Sequence, residues 1–159
     1  MIPCNTFARS ALFAAVAAAG WLPWVLLVAP ILGVWNARTL YLVAVTGVYV
    51  AGLSPQRRRP LPVALATFLI AAVVALIART TAEFAIGLAA ILGVARSGFF
   101  YRAAPARAAA TELILLVGGL VFARFLAAVS LPATALALWG FFLVQSVFFL
   151  GAGVRARTL

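Results

Sequence analysis

The sequence predicts an all-α integral membrane protein, a bundle of about six transmembrane helices with both chain ends on the cytoplasmic side. Three observations predict it. Of 159 residues, 67% are hydrophobic and 9% carry a charge, whereas a soluble domain carries about 25% charged residues. The apolar residues gather into six runs, and a helix that crosses a bilayer needs about 20 of them. The arginines, finally, sort to alternate ends of those runs. Six runs leave few residues for loops, so the chain reads as one polytopic domain with no soluble part.

The first run covers about 11–35 and follows Arg9; Pro23 and Pro30 are expected to kink it. Arg9, Ala11–Ala19 and the Ala17-x-Ala19 spacing also resemble a secretory signal peptide. Cleavage there would leave a short span and disturb the arginine partition, so an uncleaved first helix is expected. Trp21 and Trp24 then lie at mid-membrane depth, where burial against neighbouring helices accounts for them. Trp35, Tyr41 and Tyr101 fall at interfacial positions instead.

A turn at Trp35-Asn36-Ala37-Arg38 leads into the second run, 38–54. The stretch Ser54–Pro60 ends it with prolines on both sides of Arg57, Arg58 and Arg59, and the third run covers 61–79. Arg79-Thr80-Thr81 precedes the fourth run, 82–98, with Thr81 expected as its N-cap. Gly98 to Ala106 form the longest irregular stretch before the fifth run, 108–129. Ser130-Leu131-Pro132 opens the sixth, 131–151, with Pro near its first turn.

With the N-terminus inside, the cytoplasmic segments hold Arg9, Arg57, Arg58, Arg59, Arg96, Arg102, Arg107, Arg155 and Arg157. The outer ends hold Arg38, Arg79 and Arg124. Nine against three satisfies the positive-inside rule for six spans. The expected location is a cell membrane of the bacterial inner-membrane kind.

Composition also removes chemistries. All 12 basic residues are Arg, both acidic residues are Glu, and Lys, Asp and His are absent. That excludes His-ligated metal or haem, a Lys Schiff base and a paired-aspartate protease, and no cofactor or metal is expected. Phosphate-cradling and dinucleotide motifs are missing too. The single Cys4 forms no intrachain disulfide. A net charge of +10 in a membrane chain reads as topology and contact with anionic lipid headgroups rather than nucleic acid, with Arg57, Arg58 and Arg59 as the headgroup site.

The residues worth testing are few. Glu112 and Arg96 sit at similar depths on the fifth and fourth runs, as do Glu83 and Arg124, with Arg79 a nearer competitor for Glu83. A charge in the bilayer core pairs or snorkels, so Arg96–Glu112 is expected to be an intramembrane ion pair. The net turn of about 120° between Glu112 and Arg124 means both pairs cannot lie in one straight two-helix interface. Glu112 and Gln145, with Arg96, are the residues for a polar cavity near the inner side.

Small residues repeat at helical spacing in two stripes: Ala85, Ala89, Gly93 and Ser97, then Gly119, Ala123 and Ala127. Such stripes let helices approach closely, here the fourth and fifth against one another or against a partner. An echo links Arg79, Glu83 and Arg96 to Arg107, Glu112 and Arg124, with chance the simpler account. The sixth run spreads Trp139, Phe141, Phe142, Phe148 and Phe149 over more than one face, which fits lipid exposure or a partner helix.

Three functional classes follow. The first is a non-enzymatic membrane subunit or assembly protein packed against larger membrane partners or itself. The second is a small homo-oligomeric transporter or channel with its site at Glu112, Gln145 and Arg96. The third, an Arg/Tyr-based membrane transferase, would need Tyr49 or Tyr101 beside an Arg in a cavity; an enzyme is not expected.

Overall fold

The computed structural model describes residues 7–53, 60–100, 105–126 and 131–147. Among them lie six α-helices and no strand: α1 (Phe7–Leu32), α2 (Val34–Leu53), α3 (Pro60–Ile77), α4 (Thr81–Phe100), α5 (Pro105–Leu126) and α6 (Leu131–Ser146). By length and apolarity α1 is the one described helix able to cross a membrane. The apolar stretches Leu61–Ile77, Ala110–Val121 and Pro132–Ser146 are shorter.

Each helix packs on its sequence neighbour, α6 returns to α1, and α2 also touches α4. Successive helices run in opposite directions. Ser10 meets Tyr49 at one end of the α1–α2 pair, and Trp24 Nε1 donates to the Ala37 carbonyl at the other (2.8 Å). The starts of α1, α3 and α5 therefore share one end of the bundle, called here the N-end. Those of α2, α4 and α6 share the far end.

The first break differs from expectation. α1 stays one helix across Pro23 and Pro30 and stops at Gly33, whose φ of 83° is a left-handed conformation that glycine adopts without steric cost. Trp35 to Arg38 belong to the opening turns of α2, and Asn36 Nδ2 donates back to the Leu32 carbonyl (2.9 Å). Gly33, three residues before the expected turn at Asn36, is the break that the structure uses.

The start of α4 also moves. Thr80, not Thr81, accepts the Glu83 backbone N–H (3.2 Å), while the Glu83 carboxylate accepts from the Arg79 N–H (2.7 Å). Thr80-x-x-Glu83 is thus a close relative of the capping box. α4 then continues to Phe100, through residues expected to be irregular.

The core forms where small and aromatic side chains meet. Phe13, Ala14 and Ala17 of α1 pack with Tyr49 and Val50 of α2 and Phe142 of α6. Phe13 and Phe142 meet edge-on at 5.4 Å between centroids. Phe142 is therefore core rather than lipid-facing, although Trp139 on the same helix is exposed. Residues 7–19, the segment with a signal-peptide look, supply part of this core. Cys4, Arg57–Arg59, Tyr101, Phe148 and Phe149 lie outside the described residues.

Candidate functional site

Arg96 occupies the N-end half of α4, where it is 1% exposed. Its Nε donates to Glu112 Oε1 (2.6 Å) and its Nη2 to Glu112 Oε2, a two-pronged contact between helices α4 and α5. The planar guanidinium matches a carboxylate in this arrangement, and the bonds are charge-assisted. The same guanidinium reaches α6, where Nη2 donates to Gln145 Oε1 (2.6 Å) and Nη1 to the Gln145 carbonyl (3.1 Å). Gln145 Nε2 in turn donates to the Leu115 carbonyl of α5 (2.9 Å). Three helices are fastened through one buried cation.

Two glycines make room for this latch. A Cβ on Gly93 would lie 2.9 Å from Leu116 Cδ1 and 3.6 Å from Glu112 Oε2. On Gly119 it would lie 2.8 Å from Gln145 Nε2 and 3.0 Å from Phe141. The two small-residue stripes therefore serve different interfaces. Gly93 faces α5 as expected, but Gly119 faces α6, not α4. Ala89 is buried and Ala85 half-buried. The side chains of Ser97 and Ala123, and all of Ala127, lie outside the description.

The second pairing does not form. Glu83 is exposed and caps α4, and no Glu83–Arg124 ion pair occurs among the described residues. The physical reason is rotation: α5 turns by a net of about 120° between Glu112 and Arg124. Arg124 instead reaches the rim of a cavity at the far end. The echo between the two Glu-bearing helices therefore has no counterpart in role, since Glu83 caps and Glu112 fastens.

That cavity, about 640 Å³, was not foreseen from the sequence. Trp21 (α1), Arg38, Leu42 and Thr46 (α2), Thr81 to Leu92 at intervals (α4), Leu120, Val121 and Arg124 (α5) and Thr134, Ala137, Leu138, Phe141 and Phe142 (α6) line it. Its walls are overwhelmingly apolar. Its deepest residues, Leu92 and Phe142, stand one turn above Arg96 and Gln145, so the latch closes the bundle beneath it. Neither Arg96, Glu112 nor Gln145 lines the cavity, so the expected polar trio and the observed cavity are separate features.

Two buried donors lack acceptors among the described residues: the indole Nε1 of Trp21, a residue 2% exposed, and Nε of Arg38, both atoms closed off from the cavity that other parts of these side chains line. An unsatisfied buried donor costs about 1–3 kcal/mol, more when charged. Trp24, by contrast, satisfies its N–H on Ala37. The described residues hold no cluster of three His, Cys, Asp or Glu for a metal. Tyr49, the tyrosine weighed for chemistry, is 1% exposed and shares a hydrogen bond with Ser10 away from the cavity lining.

No protein-family model, curated protein or solved structure matches the chain.

Proposed function

We propose that the chain is a multi-pass integral membrane protein with a non-enzymatic role, a subunit or assembly factor that packs against other membrane proteins. The observation that carries this reading is the outward face of the helices. α3 has no ionisable residue and exposes Leu61, Leu65, Leu69, Val73, Leu76 and Ile77. α1 also exposes Leu27 and Ile31 (72% and 80% exposed), and α5 exposes Leu113 and Ile114. Contiguous apolar surface of this extent marks contact with lipid or with protein.

The arginine distribution supports the orientation. Arg96 is consumed by the latch and is not a topology marker, which leaves eight of the nine arginines that the sequence assigns to the cytoplasmic side, against Arg38, Arg79 and Arg124 at the far end. The bias survives the correction. With Glu112 and Gln145 buried and hydrogen-bonded, the fastener reading of the trio is favoured over a transport pathway.

Gentle detergent extraction of the tagged protein from its own membrane tests the subunit role. A stoichiometric membrane protein that stays bound through gel filtration is the expected result. A clean monomer or homodimer would count against it. Flux in proteoliposomes that collapses in Glu112→Gln while the fold is retained would favour the transporter instead.

A further inference from the structure

We infer that the far-end cavity is a binding site for one anionic membrane phospholipid, its acyl chain in the apolar interior and its phosphate between Arg38 and Arg124. The inference rests on the membrane reading above. Three features carry it.

The first is shape. The cavity falls in the size range of small-molecule sites, about 300–1,000 Å³, and extends along α4 from Thr81 to Leu92, a length of about 16 Å. An elongated, apolar interior fits an acyl chain better than a polar solute.

The second is charge at one end only. Arg38 at the start of α2 and Arg124 in the last turn of α5 both line the cavity near its far-end rim. Glu83, the one far-end carboxylate among the described residues, is occupied with capping and does not line it. The field at the mouth therefore favours an anion.

The third is access. Ile86 of α4 and Val121 of α5 line the cavity and are themselves exposed, which places an opening on the outer side between these helices. Their contact lies nearer the N-end, at Gly93, Glu112 and Leu116. A lipid can thus enter sideways from the surrounding leaflet without crossing the latch.

The test uses the intact protein reconstituted in phosphatidylcholine nanodiscs that carry a small fraction of phosphatidylglycerol brominated on its acyl chain. Bromine quenches tryptophan at contact, and brominated phosphatidylcholine at the same fraction is the reference. The expected result is stronger quenching by the glycerol lipid, with the excess abolished in Trp21→Phe. Arg38→Gln and Arg124→Gln should each weaken the preference about fivefold.

Ala85→Phe, which fills the cavity and leaves both arginines in place, should also remove the excess. Equal quenching by the two lipids would overturn the assignment. So would an excess that persists in Trp21→Phe, which would locate the preference at other arginines. Shielding of Trp21 that depends on protein concentration would give the cavity to a second copy and likewise overturn it. Alkaline carbonate extraction of the same variants reports membrane integration separately, so failure of the lipid site is distinct from failure of the membrane reading.

Discussion

Removing Glu112 isolates the energetic role of the latch. In Glu112→Ala, Arg96 keeps its charge at 1% exposure and its bonds to the two oxygens of Gln145, but loses its carboxylate partner. Two charge-assisted hydrogen bonds disappear, each worth about 1.5–3 kcal/mol. Stranding one member of a buried ion pair costs about 3–5 kcal/mol in proteins generally. The two estimates overlap, so a loss of about 3–5 kcal/mol is expected.

The control is removal of the whole cluster. In Arg96→Met/Glu112→Leu/Gln145→Leu no buried charge or unpaired amide remains, and stability should return to within about 1–2 kcal/mol of the parent, since apolar replacements of buried ion clusters are commonly near neutral. Unfolding in mixed micelles by titration with a denaturing detergent, followed by tryptophan fluorescence, measures both. A Glu112→Ala variant within about 0.5 kcal/mol of the parent, or a triple variant as unstable as the single, would refute the fastener reasoning.

Three further outcomes follow from particular residues. Gly119→Ala drives a methyl against Gln145 and Phe141 and should cost about 1–3 kcal/mol, whereas Gly118→Ala, with nothing within 4 Å of the new Cβ, should be neutral or slightly stabilising in the same unfolding assay. Thr80→Ala removes the α4 cap and should cost about 0.5–2 kcal/mol, seen as faster hydrogen exchange confined to the first turn of α4. Arg96→Lys keeps the charge but loses the two-pronged geometry, so its melting temperature should fall between those of the parent and Glu112→Ala.

Much of the helical layout was legible because hydrophobic runs and prolines punctuate the chain directly. Depth matching was legible too: Arg96 and Glu112 stand at similar distances from one short connection, and the structure brings them together. Rotation was harder. The turn between Glu112 and Arg124 excludes two pairs in one interface, but it does not say where Arg124 goes.

The direction of Gly119 toward α6 depends on how three helices meet, which periodicity within one helix does not encode. The Thr80-x-x-Glu83 spacing, by contrast, is a local capping signal written in the sequence itself. The cavity had no local signature at all. Its residues come from five helices, so no single segment of the sequence announces it.

The central claim, a six-span membrane bundle with the N-end inside, is tested most directly by cysteine accessibility. With Cys4 replaced by Ser, single cysteines at Asn36, Thr80 and Gln56 are exposed to a membrane-impermeant thiol reagent on intact cells. Asn36→Cys and Thr80→Cys, both at exposed far-end positions, should label from outside, and Gln56→Cys should label only after lysis. Labelling of Gln56→Cys on intact cells, or protection of Thr80→Cys until lysis, would contradict it.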